Sequence, residues 1–229
     1  MPTPETLKVL YHMHSDLDTL DLTGPLEILS HAVYPGTKTK VFTPTITAVS
    51  EITTTNQTLK IQRDISISEA YEKLAEYDVL IIPGGGSPGV LEGKTEPLDL
   101  IKAFVSLPKK EWKPRVLMSV CTGSLFLAEA GVLDGLQATT HPSYYGKMRE
   151  ILEAKAKAGT VKGTKVLEER FVVNKVDEEK GLQTITCGGV SCGLDGSLWL
   201  IQHIAGKEAK DKVAYIVQHA SRDGEGIVP

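Results

Sequence analysis

Short, mostly apolar runs recur at residues 7–13, 40–50, 78–83, 115–120 and 137–141, and each reads as a β-strand. Two of them, Asp78-Val79-Leu80-Ile81-Ile82 and Val116-Leu117-Met118-Ser119-Val120, are nearly continuous in apolar residues, as a strand covered on both faces requires. Between and after these runs, apolar positions recur at helical spacing over 24–32, 66–75, 97–105, 122–130, 146–156, 194–205 and 207–219. Alternating strand and helix signals predict an α/β fold, a doubly wound and mostly parallel sheet sandwiched by helices. Two stretches break the alternation. Residues 51–63 read as a hairpin turning near Asn56, and residues 165–186 as a second one with the charged turn Asp177-Glu178-Glu179-Lys180-Gly181. Both are expected to be small excursions beside the sheet.

Composition narrows the picture. A chain of 229 residues with 41% hydrophobic and 24% charged residues can bury a core without disulfide or metal staples. Neither an internal repeat nor a Pro/Ser linker divides it, so one domain over residues 1–229 is expected. A net charge of −4 gives no electrostatic footprint for nucleic acid or anionic lipid. No run of 18 apolar residues suggests a membrane span, and the N-terminal residues lack a basic segment followed by an apolar one. Three cysteines do not make a disulfide framework. A cytoplasmic protein without nucleic-acid or membrane partners is expected.

The chemistry concentrates at strand ends. An apolar strand stops at Cys121, and a helix begins at once with Thr122-Gly123-Ser124. That is the pattern of a nucleophile elbow, which raises one side chain above the carboxyl edge of a sheet. The helix N-terminus beside it predicts a lowered thiol pKa. A buried structural cysteine is the plainer alternative. Ile82-Pro83-Gly84-Gly85-Gly86-Ser87-Pro88-Gly89 ends another strand, and its glycines suit an oxyanion pocket facing Cys121, or a plain turn. Asp21 follows the first strand, ahead of a helix whose start Gly24-Pro25 marks, and is either a cap or a carboxyl that handles the thiol proton. His141, at the end of Ala138-Thr139-Thr140, is a candidate base for the cysteine.

Other features read as packing or surface. Gly93-Lys94-Thr95 lacks the spacing of a phosphate-binding loop. Cys187 and Cys192 are not a Cys-x-x-Cys pair, and Trp112 and Trp199 fit a loop and an apolar helix. His12 and His14 share one face of the first strand, but no third ligand is apparent, so no metal is expected.

Taken together, these segments resemble the ThiJ/PfpI superfamily, which includes the parkinsonism-associated deglycase and class I glutamine amidotransferase-like folds. The resemblance runs from Leu7 to about Ala205, and its nearest branch is the isocyanide (isonitrile) hydratases. Leu20-Asp21-Leu22-Thr23-Gly24-Pro25, Ser119-Val120-Cys121-Thr122-Gly123-Ser124-Leu125, Ala138-Thr139-Thr140-His141 and Gly188-Gly189-Val190-Ser191-Cys192-Gly193-Leu194-Asp195 carry it. The resemblance implies a flavodoxin-like fold, a homodimer, no cofactor, and a small electrophilic substrate. It makes Cys121 the nucleophile and Asp21 its acidic partner. Thr122, Gly123, Gly85 and Gly86 would line the oxyanion side, and Asp195 would support the pocket. His141-Pro142 is similar instead to the deglycase branch, whose acid is typically Glu where Asp21 stands. Three readings therefore stay open: an isocyanide hydratase working through a Cys121 thioimidate, a glyoxalase or deglycase acting on methylglyoxal, and a redox-sensing protein without turnover.

Overall fold

The computed structural model describes residues 5–111, 113–159 and 163–228. Its strands are β1 (Leu7–Met13), β2 (Phe42–Ala48), β3 (Ile52–Thr54), β4 (Lys60–Gln62), β5 (Ile65–Ser66), β6 (Val79–Ile82), β7 (Arg115–Val120), β8 (Gln137–Ala138), β9 (Lys165–Val166), β10 (Phe171–Val173), β11 (Leu182–Cys187) and β12 (Gly226–Ile227). The helices are α1 (Thr19–His31), α2 (Ile67–Glu72), α3 (Ser87–Gly93), α4 (Leu98–Val105), α5 (Gly123–Glu129), α6 (Tyr145–Lys157), α7 (Cys192–Ala205) and α8 (Lys207–Ile216). Among the described residues, eight strands form one sheet in the order β12-β10-β11-β7-β6-β1-β2-β5. Every neighbouring pair is parallel except β10–β11.

Each central strand feeds two cores, because successive side chains point to opposite faces. Val79 and Ile81 of β6 join Val116, Met118 and Val120 of β7 in the cluster closed by Leu22 and Ile28 of α1 and Leu198 and Ile201 of α7. Leu80, Ile82 and Leu117 point the other way, onto Leu100, Ile101 and Phe104 of α4, Phe126 of α5 and Met148 of α6. This two-sided burial is why β6 and β7 lack polar alternation. The chain adds β2 on one side of β1 and β6 on the other. That reversal opens a crevice at the carboxyl edge, where ligands bind in sheets of this type.

The hairpin at 51–63 forms as β3–β4, outside the main sheet. Several expectations need correction. The hairpin at 165–186 is no excursion: β11 pairs with β7 over six residues, and β10 flanks it antiparallel. The run at 137–141 yields only two strand residues, since Thr139 and Thr140 turn their hydroxyls to distant carbonyls instead of continuing a ladder. The first helix starts at Thr19, not at Gly24-Pro25, because the Asp18 side chain caps it by accepting from the Leu20 N–H. Pro25 is thus internal, and Asp21 lies in the first turn rather than before the helix. Past Gly86 the glycine-rich stretch becomes the short helix α3. Trp199 stacks on His203 within α7, while Trp112 lies outside the described residues. No helix among the described residues is long and apolar enough to cross a membrane.

Candidate active site

Three strand ends converge at the crevice: β1 leads to Asp21, β6 to Gly84–Gly86 and β7 to Cys121. Cys121 has φ +55, a left-handed conformation that side chains rarely adopt and that must be held from outside. Its N–H donates to the carbonyls of Gly188 (2.8 Å) and Cys187 (3.0 Å). Its own carbonyl accepts from Ser124 Oγ (3.0 Å) and Thr140 Oγ1 (3.1 Å). Both peptide groups around the residue are therefore pinned, and the thiol faces a cavity of about 220 Å³ that Thr122, Gly85, Gly86, His141 and Tyr144 also line.

Asp21 lies behind the thiol, fully buried. One carboxyl oxygen, Oδ2, accepts from the Gly84 N–H at 3.0 Å; the other, Oδ1, has no hydrogen-bond partner among the described residues. The approach depends on glycine, since a Cβ at position 84 would stand 2.5 Å from the Thr122 nitrogen and 2.9 Å from Asp21 Oδ2. Gly85, at φ +81, donates its N–H to Thr122 Oγ1 at 2.9 Å. Asp18 donates its N–H to the Gly84 carbonyl (2.9 Å), stitching the α1 entry to the same loop.

Electrostatics overturn the expectation of a pre-ionised cysteine. Burial, with the Asp21 charge next in size, pushes the Cys121 thiol up to about 12. Burial, reinforced by Asp18, pushes Asp21 up to about 7. A seven-residue helix and one Thr122 N–H hydrogen bond to the sulfur cannot offset desolvation and a facing carboxylate. The thiol and the carboxyl act on each other directly, each shifting the other's pKa. The arrangement is thus a thiol with an adjacent base of near-neutral pKa, suited to losing its proton as it attacks.

The other candidates separate. His141 borders the cavity, its Nδ1 accepting from the Ser143 N–H at 3.2 Å, which leaves Nε2 to carry the proton of a neutral ring. Gly86 caps α3 in a left-handed conformation. Gly123 is a packing residue: a Cβ there would lie 2.4 Å from the Ile82 carbonyl oxygen. Asp195 does not line the cavity. Its carboxylate accepts from Arg170 Nε (2.5 Å), His219 Nε2 (2.9 Å) and the Arg222 N–H (3.0 Å), tying α7 to the segment after α8. Asn56, Tyr144 and Thr140 were not assigned to the site from the sequence. For Thr140 a signal existed, a paired threonine ahead of His141 at a strand end. For Asn56 none did, because its place depends on how the β3–β4 hairpin folds back. Among the described residues, no group of three or more His, Cys, Asp and Glu side chains is placed to hold a metal ion.

The family model described as DJ-1/PfpI family matches residues 7–179. Among curated proteins, isonitrile hydratase of Pseudomonas putida is 26% identical over 214 residues, 93% of this chain and 79% of that protein. Glutathione-independent glyoxalase DJ-1 of Schizosaccharomyces pombe is 24% identical over 218 residues, 90% of this chain and 96% of the relative. A crystal structure of a ThiJ/PfpI family protein from Pseudomonas syringae superposes with a TM-score of 0.71 at 20% identity, covering 95% of this chain and 76% of the other.

Proposed function

The chain belongs to the DJ-1/PfpI family, and on that premise we propose that it is a cofactor-independent cysteine enzyme that hydrates isocyanides to N-formamides. The observation that carries the reading is the Cys121 thiol on a strained elbow, next to a buried carboxyl with one oxygen free of partners. Asp21 takes the thiol proton as the sulfur attacks the terminal carbon of R–NC, and returns it to that carbon, giving the thioimidate Cys–S–CH=N–R. Water then adds to the same carbon, losing a proton to Asp21. Collapse expels the Cys121 sulfur, protons return to nitrogen and sulfur, and H–C(=O)–NH–R leaves. The net change is addition of one water.

The hydrogen bonds favour this substrate over an aldehyde. Attack on a carbonyl builds an oxyanion that needs free N–H donors. Here the Gly84 N–H is engaged by Asp21 and the Gly85 N–H by Thr122. Attack on an isocyanide builds negative charge that calls for a proton, and Asp21, titrating near 7, can supply one. A second reading, isomerisation of methylglyoxal to lactate, is favoured by His141 on the cavity wall and by the likeness to a glyoxalase. A redox-sensing role is weakened by a thiol that stays protonated, since oxidation follows thiolate character.

The same reading takes residues 1–229 as one domain in the cytoplasm, working as a homodimer. Exposed Leu20, Ile52 and Leu59 at the start of α1 and on the β3–β4 hairpin support a second copy as the cover of that surface. The deciding experiment measures formamide release from an aryl isocyanide by the native protein and by Cys121→Ala. Turnover in the first and none in the second is expected. Lactate from methylglyoxal without formamide from any isocyanide would select the second reading.

A further inference from the structure

A larger cavity, about 550 Å³, opens on the other side of the Gly85–Gly86 strip and shares only Gly86 and Pro88 with the Cys121 pocket. Its floor is the end of β1. His12 is completely buried there, with neither ring nitrogen hydrogen-bonded among the described residues. His14 beside it is 7% exposed and gives Nε2–H to the Gly85 carbonyl at 2.8 Å, leaving Nδ1 as a lone pair without a partner. Buried polar groups are nearly always paired. Several orphans at one cavity floor point to a ligand that completes them.

The lining also states the charge of that ligand. Asp16 and Glu96 bring carboxylates to the cavity, and no lysine or arginine lines it. Burial holds both imidazoles neutral, His12 down to about 3, so each presents a lone pair at neutral pH. The two rings lie 6.2 Å apart and nearly parallel, and no third His, Cys, Asp or Glu among the described residues joins them around a common point, which argues against a metal ion. An apolar ligand would leave the orphans unpaired, and an anion would face two carboxylates. We propose that this cavity is a second ligand site, selective for a small organic cation with N–H donors, a primary ammonium being the simplest, which the lone pairs of His12 and His14 accept and Asp16 and Glu96 attract.

The site is wired to the elbow. His14 holds the Gly85 carbonyl, and the N–H of the same residue holds Thr122 beside Cys121. A cation donating to His14 Nδ1 makes Nε2–H a stronger donor to Gly85, so occupancy is felt at the thiol. This coupling does not depend on which substrate Cys121 attacks.

The test uses the full chain labelled with ¹⁵N-histidine. The two buried rings are recognised because burial lowers the pKa of both, so that they stay neutral to lower pH than an ordinary histidine. Adding ethylammonium chloride is expected to move both sets of ring nitrogens saturably, while sodium chloride, sodium acetate and ethanol at equal concentration leave them in place. Asp16→Asn, an exposed change that should not disturb folding, is expected to weaken the apparent Kd by about threefold to tenfold. Ring nitrogens unmoved by ethylammonium, or moved equally by ethanol or by acetate, would overturn the proposal. So would an Asp16→Asn protein with unchanged affinity.

Discussion

Asp21 and Asp195 are both completely buried aspartates at the starts of helices, and they are treated oppositely by their surroundings. Asp195 is saturated: an arginine, a histidine and a backbone N–H converge on it and fasten α7 to the C-terminal segment. Asp21 receives a single backbone N–H, no cation, and the negative neighbour Asp18, so burial lifts its pKa to about 7. Saturation makes a carboxylate architectural, because its charge is stabilised and its lone pairs are used up. Under-satisfaction leaves one able to move a proton at neutral pH. The β1–β6–β7 edge is costly for the fold in the places where it is useful for chemistry.

The sharpest way to break this contrast is Asp21→Asn. Activity is expected to fall by about 10²–10⁴-fold. In the native protein the rate should climb with pH through about 7 as the carboxylate forms, provided Asp21 is the base. Stability should move the other way. The folded-state pKa lies above that of the unfolded chain, so the folded state holds its proton more tightly, and stability falls as pH rises from ~4 toward 7. Thermal melts at pH 8 should therefore find Asp21→Asn no less stable than the native chain, with the difference closing near pH 4. A variant that is both active and destabilised at pH 8 would sink the assignment.

Asp195→Ala tests the other half. It strips the partner from Arg170 and His219, and a loss of about 3–5 kcal/mol in denaturant unfolding is expected. Turnover per folded molecule should stay within a few-fold of native, and a catalytic loss without destabilisation would move Asp195 back to the pocket. Thr122→Val should do less. It leaves the Gly85 N–H without its acceptor, and kcat is expected to drop roughly tenfold to a hundredfold. The smallest effect falls on His141→Ala, under about tenfold for isocyanide hydration. A loss of about a hundredfold or more, measured with methylglyoxal, would instead make His141 a working acid or base.

Much of this was legible in the chain. The two-sided burial of β6 and β7 followed from their unbroken apolar runs, and the elbow followed from Cys121 standing between a strand and a run of small residues. Local signals misled where a stronger neighbour competed: Asp18 capped α1 ahead of Gly24-Pro25. The β10–β11 hairpin looked peripheral because its burial against β7 depends on pairing with residues nearly 70 positions away. By itself, then, the sequence determined the layer architecture and the elbow that carries Cys121, and it named Cys121 and Asp21 as candidates for nucleophile and acidic partner, because periodicity and residue type act locally. Only the tertiary structure decided the direction in which burial shifts that pair, the separation of Asp21 from Asp195, and the unpartnered histidines at the end of β1. Those depend on burial and on which partners arrive from elsewhere in the chain, and desolvation outweighs what any short motif can encode.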